Sequence, residues 1–295
     1  MTEALLRIVI YGLLTGGIYA LIAMGLSLQY GVARVINIAH GEFIMLGAML
    51  TWALFTGFWG SFEINPLLSL VISGPLLFGI GFLLHRTLFT SLRKRAASPA
   101  AFEGNSLLAA FGLLFIIQNI ATLIWTANTR GYSYLSIGIE LAGTVYTVNR
   151  LVALGFAVAA ALAFYFFLSR SRLGKAIRAA AQDPATASLM GVNINRVLAL
   201  CFGLGAFMAG LAGLLLSMYS ALSPTIGLNY TIIALIVIVL GGLGSIPGSL
   251  VGGFILGIIG TIVIIRGDPS LSVVAFYAIF LVLLLVRPAG IFGKK

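Results

Sequence analysis

The sequence predicts an all-α polytopic membrane protein with eight or nine transmembrane helices, some of them broken by glycine or proline. Of the 295 residues, 61% are hydrophobic and only 8% are charged, whereas a soluble domain carries about 25% charged residues. Apolar stretches of the length that spans a bilayer recur along the chain. The composition therefore excludes a water-exposed globular protein.

Nine apolar segments are the candidate spanning helices. In chain order they are 8–30, 36–58, 64–84, 106–127, 150–169, 196–220, 229–242, 248–265 and 271–287. The seventh and eighth are short and are interrupted by glycine, so the predicted count is eight or nine. The polar loops between the segments are too short to hold a second unit, and residues 1–295 are predicted to form a single domain.

The distribution of basic residues predicts the orientation, because cytoplasmic loops of membrane proteins carry an excess of Lys and Arg. If the polar stretch 171–193 is cytoplasmic, 13 of the 17 basic residues lie on that side. These are Arg34, Arg86, Arg93, Lys94, Arg95, Arg170, Arg172, Lys175, Arg178, Arg196, Arg287, Lys294 and Lys295. The C-terminus is then cytoplasmic, and the N-terminus lies outside with nine crossings or inside with eight. The net charge of +10 thus follows membrane topology and does not indicate a nucleic-acid partner.

The stretch 171–193 (SRLGKAIRAAAQDPATASLMGVN) is a polar, helix-prone insert in an apolar chain. Asp183 is a good N-cap, Pro184 suits the first helical position, and Gly191 is a natural C-terminal stop. This pattern predicts a helix, a break and a second helix from about 184 to 190. Such a short helix is marginal alone, so the stretch is either a basic loop that obeys the positive-inside rule or a short cytoplasmic coupling helix that docks a partner. The candidate docking residues are Lys175, Arg178, Ala180, Asp183, Pro184, Ala187 and Gly191.

A second polar motif, NIAHGEF, holds Asn37, His40, Gly41 and Glu42 at the start of an apolar segment. Ionisable residues within a membrane indicate a functional site by default. Two interpretations stay open. In one, Glu42 faces lipid headgroups and His40 binds a backbone carbonyl. In the other, the motif is a helix break that lines the transport path or its gate. A metal or enzyme site is poorly supported, because the other histidine of the chain is the distant His85.

A third motif, GGLGSIPGSLVGGFILG, is rich in glycine. Gly241 and Gly242 interrupt the helix, while Gly244, Gly248 and Gly252 have the spacing that permits close helix packing. Close packing and a place on the transport path are compatible interpretations. The region resembles the one around NIAHGEF, and discontinuous helices at matching positions of two halves are typical of transporter substrate paths.

Three stretches of the sequence, in the right order, resemble the permeases of bacterial branched-chain amino acid ABC importers, and most closely the H-type member of the two paired permeases. GKAIRAAAQDPATASLMGVNINRV resembles their coupling loop, GGIYALIAMGLSLQYGVARVINIAHGEFIMLGAM their N-terminal signature, and IVIVLGGLGSIPGSLVGG their C-terminal signature. The resemblance covers essentially the whole chain. It implies a multi-pass subunit of the bacterial inner membrane, surrounded by lipid, that is not itself an enzyme.

The resemblance also implies the partners. They are two cytoplasmic ATPase subunits, a second permease that is homologous or identical, and a periplasmic or extracellular substrate-binding protein. ATP is bound by the ATPases, so no cofactor is expected on this chain. The implied substrates are leucine, isoleucine and valine, although similar permeases carry urea, short amides or other amino acids. The external loop 128–149, with Arg130 and Tyr132, is the candidate docking surface for the binding protein.

Two functions of other classes remain as alternatives on the residues alone. A self-sufficient secondary transporter requires a coupling-ion site, for which Glu42 is the candidate acid within the membrane. An intramembrane enzyme that uses His40 and Glu42 requires further catalytic partners, which the sequence does not offer.

Overall fold

Each of the nine apolar segments forms a helix. The structure is a computed structural model that describes residues 2–58, 60, 63–141, 143–267, 271–287 and 289–293. The helices are α1 (Thr2–Ala33), α2 (His40–Phe55), α3 (Leu70–Leu84), α4 (Thr90–Arg95), α5 (Pro99–Trp125), α6 (Val148–Arg170), α7 (Arg172–Gln182), α8 (Pro184–Leu189), α9 (Ile194–Ser217), α10 (Gly227–Gly241), α11 (Ile246–Arg266) and α12 (Leu271–Val286). A π-helical turn (His85–Phe89) joins α3 to α4, and the strands β1 (Gly138–Leu141) and β2 (Thr144–Thr147) form an antiparallel hairpin. Lys294 and Lys295, which the sequence predicts to be cytoplasmic, lie outside the described residues.

Helix length separates two groups of apolar helices. Within the described ranges, six are long and apolar enough to cross a membrane: α1, α5, α6, α9, α11 and the continuous stretch Leu70–Arg95. The helices α2, α10 and α12 are apolar but only 15 or 16 residues long, which is less than the ~20 residues of a full span. The predicted all-α polytopic membrane fold is confirmed, and the count of eight or nine crossings stays a prediction.

The most extensive helix contact joins α1 to α11 and depends on glycine. A Cβ added to Gly12 would lie 2.7 Å from the Cα of Ile258, and one added to Gly16 would lie 2.8 Å from the Cα of Phe254. On the facing helix, a methyl group at Gly257 would overlap the backbone of Gly16. Small residues at such positions let two backbones approach closely in a membrane, and α1 and α11 pack in this way.

The order of helix lengths repeats in the two halves of the chain. The long α1 corresponds to the long α9, the short α2 to the short α10, and α3 to α11. The packing follows the same correspondence, because α1 packs along α11 and α9 packs along α3. A non-helical segment precedes the short helix in each half. The sequence instead predicts that the break before α2 corresponds to the break between α10 and α11. The structure shows only a tight turn between the ends of α10 and α11. The glycine-rich stretches that the sequence suggests as equivalent therefore do not lie at equivalent positions of the two halves.

The two ends of the bundle differ. At the hairpin end, the Arg7 Nε donates a 2.6 Å hydrogen bond to the Thr144 Oγ1, which fixes the start of α1 beside β2. At the other end, here the α8 end, Gly31 near the close of α1 packs against Gly244. The C-terminal residues 289–293 pair with the last residues of α10, also at the α8 end. The start and the close of the described chain therefore lie at opposite ends of the bundle.

Candidate coupling segment and intramembrane helix break

The segment α7–α8 is built from two side-chain caps. The Ser171 Oγ accepts a hydrogen bond from the Gly174 amide at 2.8 Å and starts α7. The Asp183 Oδ1 accepts from the amides of Ala185 (2.9 Å) and Thr186 (3.2 Å), and its Oδ2 accepts from the Thr186 hydroxyl at 2.5 Å. That hydroxyl, followed by the two amides, holds the pKa of the Asp183 carboxyl below its ordinary value. The predicted N-cap role of Asp183 is confirmed.

The tip of this segment exposes two large apolar side chains. The helix α8 ends at Leu189, and Gly191 follows with a φ of +85°, a backbone conformation that suits glycine, as the sequence predicts. Leu189 is 87% exposed and Met190 is 81% exposed. Sequence analysis did not single out this pair, although two consecutive apolar residues directly before the stop of a polar helix are a usable signal. Exposed apolar residues on a protruding tip indicate a protein contact.

The opposite face of the segment is fastened to the bundle. Ala180 and Ala187 are buried, and the guanidinium of Arg178 donates to the carbonyl of Leu168 near the end of α6. A methyl group on Gly174 would overlap that same carbonyl, which makes the connection from α6 to α7 tight. Of the predicted docking residues, Ala180, Ala187 and Arg178 thus anchor the segment, the last from an exposed position. The other four are also exposed: Lys175, Asp183, Pro184 and Gly191.

The chain between α1 and α2 turns back along the end of α1. Arg34 has a φ of +56° and reverses the chain direction. The Asn37 Nδ2 then donates to the Gln29 Oε1 at 3.2 Å, and the His40 Nε2 donates to the Ile22 carbonyl at 3.1 Å. The rise of ~1.5 Å per residue places the start of α2 about 16 Å back from the end of α1. Non-helical backbone therefore enters the interior of the bundle.

The polar side chains of this break are buried. His40 is inaccessible, and Asn37 and Glu42 are each 1% exposed. The His40 Nδ1 and the Glu42 Oε2 have no hydrogen-bond partner among the described residues. The carbonyl partner expected for His40 is confirmed, whereas the interpretation that places Glu42 among lipid headgroups is wrong. A helix break is present, and its role as a gate stays a prediction.

The N-termini of α2 and α10 meet at this break. The Gly41 amide donates to the Thr231 Oγ1 at 2.8 Å, and that hydroxyl donates to the Ile38 carbonyl at 2.9 Å. A methyl group on Gly41 would overlap the carbonyl oxygen of Gly227, the first residue of α10. Thr231 was missed by sequence analysis, because a single threonine in an apolar helix gives no signal of a partner far away in sequence.

The glycine-rich motif around Gly241 and Gly248 does not lie at the helix break between α1 and α2. Gly241 and Gly248 face each other so closely that a methyl group on either would overlap the carbonyl of the other. Gly242 and Gly244 have φ values of +104° and +79°, and Gly244 touches Gly31 of α1. These glycines form a tight turn between α10 and α11 at the α8 end. The structure therefore does not bring Gly241, Gly242, Gly244 and Gly248 together with Asn37, His40, Gly41 and Glu42.

A groove connects the glycine turn to α7. Its volume is about 330 Å³, and its lining includes Ile177 and Arg178 from α7, Gly31 from α1, and Gly244 and Pro247 from the turn. The helix α7, the end of α1 and the start of α11 therefore face one common groove.

Comparison with known proteins identifies the family. The family model described as "Branched-chain amino acid transport system / permease component" matches residues 8–285. The chain belongs to this family. The chain is 33% identical to BraD of Pseudomonas aeruginosa, a high-affinity branched-chain amino acid transport system permease protein, over 98% of this chain and 96% of BraD. It is also 33% identical to LivH of Escherichia coli K12, a permease protein of the same description, over 96% of this chain and 94% of LivH.

A more distant relative is LivH of Methanocaldococcus jannaschii, a probable branched-chain amino acid transport permease protein that is 27% identical over 81% of this chain and 74% of its own length. The family match begins in α1 and ends in α12. It therefore includes both the helix break and the α7–α8 segment of this permease.

At the hairpin end of the permease, Arg130 and Tyr132 make structural contacts, and their docking role stays a prediction. The Arg130 guanidinium lies 4.5 Å from the Trp52 ring centroid and donates to the Trp125 carbonyl at 2.8 Å. The Tyr132 hydroxyl hydrogen-bonds to the Ser217 hydroxyl at 2.7 Å, and burial raises the pKa of Tyr132 to about 12. Both residues hold the loop against the bundle. The β1–β2 hairpin lies within this loop.

Proposed function

We propose that the permease is the membrane subunit of an ABC importer for branched-chain amino acids and that cytoplasmic ATPase subunits drive it through α7–α8. The substrate is supported by two relatives, both permease proteins of branched-chain amino acid transport systems, that this chain matches over nearly their whole length. The observation that carries the coupling role is a capped helix pair that is anchored on one face and exposes Leu189 and Met190 at its tip. ATP binds to the partner subunits, and this chain contributes no covalent chemistry.

The contacts that anchor α7–α8 determine how a movement of the ATPases is passed to the membrane-spanning helices. Arg178 and Gly174 join α7 to the end of α6, and the side chain of Asn193 caps the start of α9 by accepting from the Arg196 amide at 3.0 Å. The helix α9 packs against α1, α2 and α3. A push on the tip of α8 by a closing ATPase is therefore passed to α9 as a rigid element, and from α9 to the helix break.

The break between α1 and α2 is the proposed gate of the path. The Gly41 to Thr231 hydrogen bond holds the ends of two short helices together, and helix N-termini carry partial positive charge that suits anionic groups. The buried carboxyl of Glu42 lies at this junction in the present structure. Separating α2 from α10 exposes these polar groups to an incoming amino acid.

The arrangement of the chain supports the proposed orientation and partners. The two chain ends lie at opposite ends of the bundle, which favours nine crossings with the N-terminus outside and the C-terminus cytoplasmic. The α8 end then faces two ATPases in the cytoplasm. The hairpin end faces a substrate-binding protein, and a second permease, homologous or identical, completes the path.

Uptake by proteoliposomes tests the proposal. We expect liposomes that hold the permease with its ATPases to accumulate labelled leucine when ATP is inside and the loaded binding protein is outside. Uptake of urea without leucine would contradict the substrate. Leucine uptake by the permease alone under a proton or sodium gradient would contradict the ABC class and identify a secondary transporter.

A further inference from the structure

A basic groove at the α8 end shares only Asn193 and Arg196 with the coupling scheme. It has a volume of about 590 Å³ and lies between the stretch Leu70–Arg95 and the start of α9. Arg86 and Lys94 line it from one side and Arg196 from the other. None of its lining residues is acidic in the part of the chain that the structure describes.

The groove changes in character along the helix axis. On the α3–α4 side, every fourth residue from Phe82 to Lys94 lines it, and this series extends for about 18 Å of helix at ~1.5 Å per residue. Phe82 and, on α9, Ala199 form its apolar part. Phe82 is itself half-buried, and it lies on an apolar helix long enough to span a membrane, so this part of the groove lies at bilayer depth. The cationic side chains therefore lie nearer the membrane surface than the apolar part of the groove, which lies at the depth of the acyl chains.

We propose that this groove binds the headgroup phosphate of an anionic phospholipid in the leaflet on the α8 side. Two guanidinium groups and one ammonium group match a phosphate diester, because arginine donates bidentate hydrogen bonds to phosphate oxygens. Basic pockets between membrane helices on this side of a bilayer are suited to anionic headgroups. An acidic side chain of a docking protein needs the cations but not the apolar part of the groove, so the groove favours a lipid.

The start of α9 strengthens the anion site. Asn193 is the N-cap of α9 and Arg196 lies in its first turn, and both line the groove. The free amides of a helix N-terminus carry partial positive charge, which adds to that of the three side chains. A lipid bound here contacts α4 and the root of the α8–α9 connection at once, and so links the membrane to the segment that carries the tip.

Lys94 and Arg95 offer a matched pair of variants for the test. Both are exposed residues at the end of α4, but only Lys94 lines the groove. Full-length permease in mild detergent is titrated with phosphatidylglycerol or with phosphatidylcholine of the same acyl chains, and bound lipid is counted by native mass spectrometry. We expect a preference for phosphatidylglycerol that falls about fivefold in Lys94→Gln and in Arg196→Gln. Arg95→Gln is expected to leave it unchanged, and Lys94→Arg to preserve it.

Three results would overturn the proposal. Equal losses in Lys94→Gln and Arg95→Gln would show diffuse surface attraction. Displacement of phosphatidylglycerol by millimolar inorganic phosphate, with the same dependence on Lys94, would assign a free anion. Displacement by added ATPase subunits would assign a protein contact. The measurement uses neither transport nor ATP, so its outcome is independent of the proposed function.

Discussion

The buried carboxyl of Glu42 packs directly against Gly227, the first residue of α10, where an added Cβ would lie only 2.5 Å from the Cδ of Glu42. Any side chain at position 227 would therefore overlap this carboxyl. The same junction brings the Gly41 amide to the Thr231 hydroxyl. Two short helices that start inside the bundle are thus held end to end by small residues and one hydroxyl. If this junction is the gate, its stability and the transport cycle depend on the same contacts.

Gly41→Ala should disrupt the junction, because the new methyl group meets the backbone carbonyl of Gly227, which has no freedom to move aside. Overpacking of this kind destabilises a protein by about 1–3 kcal/mol. Thermal unfolding in detergent measures the loss. The control is Gly112→Ala on α5, where an added Cβ meets nothing within 4 Å and stability should stay level or rise by about 0.4–1 kcal/mol. Equal melting temperatures for the two variants would refute the tight junction.

Thr231→Val should destabilise the junction through lost hydrogen bonds and not through lost volume. The substitution keeps the shape but leaves the Gly41 amide and the Ile38 carbonyl without their partner. A buried unsatisfied group costs about 1–3 kcal/mol. Thr231→Ser keeps the hydroxyl and should retain most of the stability. The same melting experiment compares the two, and a serine variant as unstable as the valine variant would argue against the hydrogen bonds.

Leu189→Ser combined with Met190→Ser should weaken ATPase binding while leaving the fold intact, since both side chains are largely exposed in the isolated chain. Burying one such side chain in an interface is worth about 1.5–3 kcal/mol, so the double variant should bind at least tenfold more weakly. Affinity for the purified ATPase is measured by surface plasmon resonance on permease in nanodiscs. Leu108→Ser is the control, because Leu108 is exposed on α5 away from α8. An unchanged affinity of the double variant would remove the tip from the interface.

The cap of α8 should depend on pH in the acid range only. Hydrogen bonds from Thr186 and from two amides lower the folded-state pKa of Asp183, so the unfolded segment takes up a proton first as pH falls. The cap contribution is therefore complete above the ordinary carboxyl pKa and is lost as pH falls through the lowered value. Hydrogen–deuterium exchange of the backbone amides of residues 184–189 measures how much the Asp183 cap stabilises α8. Asp183→Ala should speed exchange at neutral pH, whereas Asp183→Asn, which keeps an acceptor, should not. Fast exchange in native protein at neutral pH would contradict the cap.

Local signals let the sequence predict α7 and α8 closely. Asp183, Pro184 and Gly191 act on their own neighbours, and capping is decided within a few residues. The membrane class followed from composition, and each apolar segment proved helical. Even so, the exposed faces of Leu189 and Met190 were not predicted, because burial depends on what the rest of the chain covers.

The sequence indicated which residues form the helix break before α2 but not where in the fold they lie. The residues Asn37, His40 and Glu42 stood out because they are polar in an apolar segment. Their burial depends on contacts with α1 and α10, and Thr231 is about 190 positions away in the chain. For the same reason the glycine turn at Gly244 was grouped with the path, although it packs at the α8 end against Gly31.

Site-specific photo-cross-linking in the assembled transporter tests the central claim most directly. A photoreactive residue replaces Met190 at the tip of α8, and the control position is Leu108 on α5, which is also highly exposed. The coupling account predicts that position 190 cross-links to an ATPase subunit and that position 108 cross-links only to lipid. If position 190 gives no ATPase adduct while the same preparation still performs ATP-driven uptake, α7–α8 is not the coupling element.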